Sequence, residues 1–253
     1  GSSSDRANGI ATILDKLDLE SFGELPDSLK PENIVVASVL LVNDDVDKNS
    51  MEFKLLLNTV AELKLTSFAC EVYVTSYDQN IAISSGAHWI DRNKVVFHSE
   101  EVDVEKLLSL SLNEIESGGC FPGVILYVNH HYPFRPINLF DNLITELQYK
   151  GLSSVFPCFV DYGHYWQKQK DSTFLQIDSS MESRNNREPI MRALYGLGCA
   201  TSSADIRKGT ITGNDVGIIS IDNYQFTLNS REEGSQEIIK KLFKNKKINN
   251  NKI

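Results

Sequence analysis

The chain has 253 residues, of which 41% are hydrophobic and 23% are charged, and its formal net charge is -9 at pH 7. This length and composition allow one large folded α/β domain, or one domain with an appendage. The acidic balance argues against non-specific nucleic-acid binding, because such binding needs a basic surface to neutralise phosphates.

The first half of the chain alternates between strand-like and helix-like patterns. Residues 1–32 hold a short amphipathic segment and a polar, proline-containing stretch, which indicate an N-terminal appendage or a linker. Residues 33–42 form a nearly continuous apolar run rich in β-branched side chains, which predicts a strand covered on both faces. The elements that follow are a polar loop over 43–50, a helix over 51–65, a strand over 70–75, a helix from Asp78 to about Gly86, a short strand over 94–97 and a helix over 102–115.

The centre of the chain predicts a strand, a polar loop, a helix and a second strand. Residues 124–128 are an apolar run, and residues 129–132 (Asn-His-His-Tyr) follow it as a polar cluster. A segment with two prolines comes next, then a helix predicted over 137–150 and a strand over 152–160. The polar cluster therefore lies just past the carboxyl end of a strand. Open α/β sheets bind ligands at that edge, so the sequence predicts a pocket there.

The last third of the chain begins with a long polar segment. Residues 167–189 are polar and predict an extended arm or flap, and residues 193–201 return toward the sheet. The remaining predictions are two short strands within 215–227, a closing helix over 235–243 and a disordered, low-complexity tail over 244–253. Strands that alternate with helices of this length imply parallel βαβ units with helices on both faces of the sheet.

Three stretches carry a family resemblance. Residues 72–92 read VYVTSYDQNIAISSGAHWIDR, residues 124–144 read VILYVNHHYPFRPINLFDNLI, and residues 184–189 read RNNREP. In this order they resemble the acylneuraminate cytidylyltransferases, the CMP-sugar synthetases that join CTP to an acidic nine-carbon sugar. The resemblance covers residues 33–243. It implies a three-layer α/β sandwich with a mainly parallel sheet, of the nucleotide-diphospho-sugar transferase kind, and a homodimer that exchanges protruding arms formed by about residues 167–192.

The chain departs from this family where the family binds the triphosphate and its metal. The family's first strand leads into a glycine-rich, basic loop, whereas residues 43–48 read NDDVDK, with three aspartates and no glycine. Backbone N–H groups cradle phosphates only where small residues allow close approach, and an acidic loop repels them. Near the end, Asn229 stands where the family has a carboxylate that holds Mg²⁺. We therefore assign no metal site, and Asn229 is the one remaining candidate ligand there.

These departures favour a cytidylyltransferase-like protein without efficient catalysis. Such a protein would act as a binding or assembly subunit, with CTP, CMP or an acidic sugar as its ligand. One alternative is an active CTP-dependent nonulosonate cytidylyltransferase, which would need Mg²⁺. Another is an interaction module that keeps the fold and binds no nucleotide. No catalytic residue is assigned, and His131 and Arg135 are the candidates.

The candidate binding residues in the centre of the chain each have a structural alternative. Asn129, His131 and Tyr132 would line the pocket at the strand end, or would belong to a loop whose imidazoles are solvated or capping. Arg135 would contact a phosphate or carboxylate, or would form a salt bridge to a helix residue such as Asp141.

The remaining candidates lie elsewhere in the chain. Asp78 would contact the nucleotide, or would only cap the helix that it opens. Arg184 and Arg187 would reach an acidic sugar, or would belong to a charged, flexible arm. The aspartates at positions 44, 45 and 47 would bind a metal ion, or would simply be solvated.

The cysteines and the apolar runs indicate the compartment. Cys70, Cys120, Cys158 and Cys199 are far apart and form no CxxC pair, which predicts buried free thiols in a reducing compartment. No stretch approaches the ~20 apolar residues that cross a membrane. We therefore expect a cytoplasmic protein with no membrane partner.

Overall fold

The computed structural model describes residues 34–42, 46–95, 103–177, 183 and 186–250. Within these residues the strands are β1 Val35–Leu41, β2 Ala69–Ser76, β3 His88–Asp91, β4 Val124–Tyr127, β5 Ser154–Asp161, β6 Trp166–Lys168, β7 Phe174–Gln176, β8 Ile190–Ala193, β9 Cys199–Ser202 and β10 Val216–Ile221. The helices are α1 Met51–Leu63, α2 Gln79–Ser85, α3 Arg92–Val95, α4 Val104–Ser117, α5 Leu139–Lys150, α6 Ser203–Arg207 and α7 Ser235–Asn250, with 3₁₀ turns at Tyr195–Leu197 and Tyr224–Thr227.

A mixed sheet of eight strands runs through the described part of the chain. Its order is β10-β5-β9-β4-β1-β2-β3, and β8 pairs with β5. The pairs β1–β2, β1–β4, β2–β3 and β5–β10 are parallel. In contrast, β9 is antiparallel to both β4 and β5, and β8 is antiparallel to β5. The sheet is therefore mainly parallel, as the sequence predicts, and β6 and β7 form a separate hairpin within the predicted arm.

The apolar core lies on both faces of this sheet. Along β1, Val36 and Leu40 face one layer of helices, whereas Val39 and Leu41 face the other. This alternation follows from the two-residue period of a strand. The first layer contains α1, α2 and α5, and the second contains α4 and α6. The result is the predicted three-layer sandwich, with the first apolar run of the chain buried from both sides.

Local side-chain chemistry explains where several helices begin and end. Helix α1 begins after Ser50, whose hydroxyl accepts a hydrogen bond from the Phe53 N–H at 3.1 Å. Helices α2 and α5 end at Gly86 (φ 77°) and Gly151 (φ 63°), in the left-handed conformation that glycine adopts without steric strain.

Two strand predictions differ from the structure. Of the strand predicted over 94–97, residues 94 and 95 belong to α3, and residues 96 and 97 lie outside the described residues; the strand in this region is β3, which comes earlier. Asp91 accepts a hydrogen bond from the Asn93 N–H at 2.9 Å, which favours a helical turn directly after β3. Residues 215–227 contain one strand, β10, and then a 3₁₀ turn. There the Asn223 side chain accepts from the Gln225 N–H at 2.9 Å, so a local bond replaces strand pairing.

The structure describes most of the C-terminal segment and none of the first 32 residues. Helix α7 continues to Asn250, so the backbone of residues 244–250 is helical where the sequence predicts disorder. The predicted appendage at 1–32 lies outside the described residues. Among the described helices, none combines the length and apolar character needed to cross a membrane.

Candidate functional site

The order of the strands marks a crevice at one edge of the sheet. From β1 the chain continues outward to β2 and β3 on one side, whereas β4 lies on the opposite side of β1. In open α/β sheets, ligands bind outside the carboxyl ends of the strands at the point where the strand order reverses. Here that point lies between β1 and β4. The polar cluster that begins at Asn129 follows β4 directly, and the first turn of α1 follows the loop after β1.

Two buried histidines and one glutamate meet at this crevice. His130 and His131 are only 1% and 4% exposed. Glu52, in the first turn of α1, places Oε1 3.1 Å from His130 Nε2 and 3.3 Å from His131 Nε2. The two imidazole rings lie 4.2 Å apart between centroids. Sequence reasoning missed Glu52 as the carboxylate partner of His131, because nothing in the local pattern of α1 distinguishes it from a solvated helix residue.

The surroundings of His131 hold its imidazole in the neutral form. Burial is the main cause that lowers the pKa of His131 to about 3. Electrostatic repulsion from His130 and from Arg231 acts in the same direction, although Glu52 acts in the opposite one. Conversely, the hydrogen bond from His130 is the main cause that lowers the pKa of Glu52. At neutral pH this leaves an ionised carboxylate beside a neutral imidazole, which is a weak general base because its pKa lies far below the working pH.

A cavity of about 530 Å³ opens beside this cluster. Its volume is within the range of small-molecule sites. Its lining combines apolar residues of α1 and α7 with two cationic side chains: Met51, Glu52, Leu55, His131, Ser230, Arg231, Gln236, Ile239 and Lys240. The cavity therefore presents both cationic and anionic groups, and Lys240 is itself paired with Glu237 at 2.9 Å.

Arg135 is committed to internal contacts. Its guanidinium is almost fully buried, and it donates to the Leu197 carbonyl and to the Asn129 carbonyl, each at 3.0 Å. Its salt bridge is to Glu62 at 3.0 Å, so the suggestion of Asp141 as its partner is wrong. Asp141 instead accepts two hydrogen bonds from the Ser67 N–H and hydroxyl. Arg135 therefore fixes the loop after β4 against α1.

Asn129 and Tyr132 shape the same loop. The Asn129 N–H donates to the Gly196 carbonyl at 2.8 Å, and its side chain accepts from the His131 N–H at 2.9 Å. Tyr132 is half-buried and lies against Gly196, where a Cβ atom would come within 2.7 Å of the ring. Glycine at position 196 thus allows Tyr132 to close over the strand end.

The other candidates lie apart from this crevice or have a structural role. Asp78 caps α2 by accepting from the Asn80 N–H at 2.8 Å. The Asn229 side chain accepts from the Arg231 N–H at 2.9 Å, which makes a local turn. Arg187 lies against the ring of His164, 2.9 Å from Nε2, in the arm region. The prediction for Arg184 and those for the aspartates at 44 and 45 fall outside the described residues.

Among the described residues, Glu52, His130 and His131 are the one group of this kind with donor atoms close enough to share a metal ion. Mg²⁺ prefers an octahedral shell of oxygen ligands, and one carboxylate with two imidazoles does not provide it. This cluster therefore does not fit the Mg²⁺ that an active cytidylyltransferase would need.

Comparisons with known proteins define the fold. No protein-family model and no curated protein sequence matches this chain. Solved structures match with low identity. The 4-diphosphocytidyl-2C-methyl-D-erythritol synthase from Anaerococcus prevotii DSM 20548 has a TM-score of 0.55 at 10% identity, over 85% of this chain and 96% of that one. The CMP:2-keto-3-deoxy-manno-octonic acid synthetase complexed with CTP also has a TM-score of 0.55, at 7% identity, over 83% of this chain and 96% of that one.

A third match is the bifunctional IspDF from Campylobacter jejuni, with a TM-score of 0.51 at 15% identity over 81% of this chain. This chain spans 53% of the length of that bifunctional protein. The chain has the nucleotide-diphospho-sugar transferase fold. The fold prediction is thereby confirmed, and these solved proteins include two synthetases of cytidine-containing compounds.

Proposed function

We propose that this protein is a cytidylyltransferase-like binding subunit that accepts a cytidine nucleotide or an acidic sugar between β1 and β4 and does not catalyse nucleotidyl transfer efficiently. The observation that carries this proposal is the engagement of Arg135 and Asn229. In the crevice, Arg135 is enclosed by Glu62 and two backbone carbonyls, and Asn229 is held in a local turn. These internal contacts of both side chains support a protein that binds without efficient transfer.

Nucleotidyl transfer depends on cations placed around the phosphates. The barrier falls when fixed positive groups or metal ions stabilise the charge that develops on the phosphate oxygens. In this chain the loop after β1 is acidic by sequence, and within its described part Asp47 bonds to the Asn49 N–H at 3.0 Å. The negative charge of this loop would repel a triphosphate.

The cavity beside Glu52 supports retention of binding. Arg231 and Lys240 line it from the chain after β10 and from α7. Since Lys240 is paired with Glu237, the charge of Arg231 would be the main attraction for one phosphate or carboxylate group, and it would not supply the full cradle that transfer requires. Binding and catalysis can therefore be separated by experiment.

The decisive test measures pyrophosphate release and binding in parallel. The protein is incubated with CTP, Mg²⁺ and a panel of acidic sugars and a methylerythritol phosphate, while its thermal unfolding is followed with CTP and with CMP. We expect a ligand-dependent rise in the unfolding temperature without turnover. An Arg231→Ala variant should lose the rise, whereas Arg207→Ala, which removes an exposed partner of Glu116, should keep it.

Turnover in that assay would overturn the proposal in favour of an active CTP-dependent transferase, the alternative that the likeness to synthetases of this fold supports. The absence of any ligand-dependent shift, with a stable oligomer, would instead favour an interaction module that keeps only the fold.

We also propose that the protein is a homodimer held together by its arm. The β6–β7 hairpin carries large apolar side chains that are 55–64% exposed: Trp166, Phe174, Leu175 and Ile177. An isolated two-stranded hairpin is marginally stable in water, and these side chains lie on both of its faces. A second copy of the chain would cover them, as the resemblance to dimeric synthetases implies.

A further inference from the structure

The cluster of Glu52, His130 and His131 has the spacing of a metal site. Its three donor atoms all lie within 4.8 Å of one another. Glu52 Oε1 is 3.1 Å from His130 Nε2 and 3.3 Å from His131 Nε2. In a tetrahedral zinc site with bonds of about 2.0 to 2.1 Å, neighbouring ligand atoms are about 3.3 Å apart. The observed separations therefore match two edges of such a tetrahedron. The shorter one is also a hydrogen bond between His130 and Glu52, so a metal ion would take the place of the proton that lies between them.

The hydrogen bonding of His131 leaves one ring nitrogen for a ligand. Its Nδ1 atom lies 2.7 Å from the Ser230 hydroxyl. Its Nε2 atom is buried and makes no hydrogen bond within the described structure, although Glu52 lies nearby. With Nδ1–H donating to Ser230, the Nε2 lone pair and the carboxylate oxygen would face each other as two acceptors. A cation between them converts this repulsion into attraction.

Ser230 is placed like the hydrogen-bond partners that surround the ligands of metal sites. Metal-binding histidines generally donate their second ring N–H to an oxygen, which fixes the tautomer and the orientation of the ring. Ser230 lies after β10 and both histidines lie after β4, while Glu52 lies in α1. Three separate parts of the chain thus converge on one point.

The donor set selects the class of metal. Two imidazoles and one carboxylate suit zinc and related first-row ions, whereas Mg²⁺ and Ca²⁺ prefer oxygen ligands throughout. Glu52 and His131 also line the 530 Å³ cavity, so one coordination position would face it. The positive charge of Arg231 at this cavity opposes a bound cation, and an anionic group at the open position would offset that repulsion.

We propose that Glu52, His130 and His131 form a binding site for one divalent ion of the zinc class, with a coordination position open to the cavity. This site does not depend on the nucleotide-binding function proposed above, because it rests only on the geometry of the three side chains.

The experiment uses the full chain without a polyhistidine tag, stripped with a chelator and titrated with Co²⁺. We expect one equivalent of Co²⁺ to give the intense visible absorption of a four-coordinate site. Zn²⁺ should displace it, and excess Mg²⁺ should not. Glu52→Gln and His131→Ala should abolish the absorption. Ser230→Ala should weaken the affinity for Co²⁺ by about 10- to 100-fold, as loss of an outer hydrogen-bond partner does elsewhere.

The chain offers a matched control in His88, which pairs with Glu71 at 2.9 Å on the surface. His88→Ala removes a histidine beside a carboxylate and should leave the spectrum unchanged. Circular dichroism shows whether each variant is folded. The Co²⁺ titration of the unaltered protein tests the proposal even if a variant does not fold. Absence of the absorption in the unaltered protein, or its full retention in folded Glu52→Gln or His131→Ala, would overturn the proposal.

Discussion

At the scale of single residues, the guanidinium of Arg135 connects three parts of the chain. It bonds to Glu62 in α1, to the loop after β4 through the Asn129 carbonyl, and to the 3₁₀ turn through the Leu197 carbonyl. A rigid, planar fork of donors suits such divergent acceptors, whereas an ammonium group cannot reach all of them at once.

We therefore predict that Arg135→Lys lowers the free energy of unfolding by about 2 to 4 kcal/mol, because buried acceptors lose their donors. Urea denaturation followed by tryptophan fluorescence measures the change. Arg207→Lys is the control, since Arg207 pairs with Glu116 at the surface, and it should change stability by less than about 1 kcal/mol. Unchanged stability in Arg135→Lys with lost CTP binding would show instead that Arg135 serves a ligand.

The four cysteines are free, as predicted, and they differ in environment. Burial raises the pKa of Cys199 to about 12, and burial also raises the pKa of Cys158. Cys120, by contrast, is partly exposed. Since the thiolate is the reactive form, we predict that iodoacetamide modifies Cys120 first and Cys199 last in the folded protein.

Peptide mass spectrometry over a time course of alkylation measures this order. All four cysteines should react at similar rates after unfolding in guanidinium, which provides the control. Equal rates for Cys199 and Cys120 in the folded protein would contradict the burial described for β9.

At the scale of elements, Asp78 and Asp103 are equivalent caps. Each carboxylate accepts a backbone hydrogen bond at 2.8 Å at the start of its helix, α2 for Asp78 and α4 for Asp103. We predict that Asp78→Ala and Asp103→Ala each cost about 1 kcal/mol in the free energy of unfolding. Chemical denaturation measures both values, and CTP affinity is compared in the same pair of variants. If Asp78→Ala lowers the affinity for CTP and Asp103→Ala does not, Asp78 binds the nucleotide in addition to capping its helix.

The elements that the sequence predicts best are those whose side chains repeat with a clear period. The apolar run of β1 and the amphipathic pattern of α4 are both found near their predicted positions, because each buries its own regular face. The sequence predicts β3 too late in the chain, because the pairing of β3 with the end of β2 decides its position more than its own pattern does.

The sequence indicates where the polar residues after β4 lie, and it does not indicate which distant side chains they contact. Their position at the end of β4 follows from the strand and the loop after it. Glu52 and Ser230 lie 78 and 99 positions from the histidines that they contact. Glu52 reaches that edge because β1 and β4 are neighbours in the sheet. The spacing of residues in the sequence does not reveal which strands are neighbours.

At the scale of the whole molecule, the hairpin of β6 and β7 should decide the oligomeric state. We predict that Phe174→Lys combined with Leu175→Lys converts a dimer into a monomer, because both changes place charge on exposed apolar positions of the hairpin. Size-exclusion chromatography with light scattering measures the mass. Leu65→Lys, at a position that is 83% exposed just after α1, is the control and should remain dimeric. A monomeric unaltered protein would contradict the proposed arm exchange.

The insertion of β9 between β4 and β5 has a consequence for how the chain reaches its final form. While the polypeptide emerges from a ribosome, β4 and β5 are complete well before residue 199, whereas β9, the strand that pairs with both of them, is still missing. Both therefore present open hydrogen-bonding edges during that interval, and such edges invite pairing with other chains. Nascent chains that stop short of Cys199 should accordingly be strong clients of chaperones.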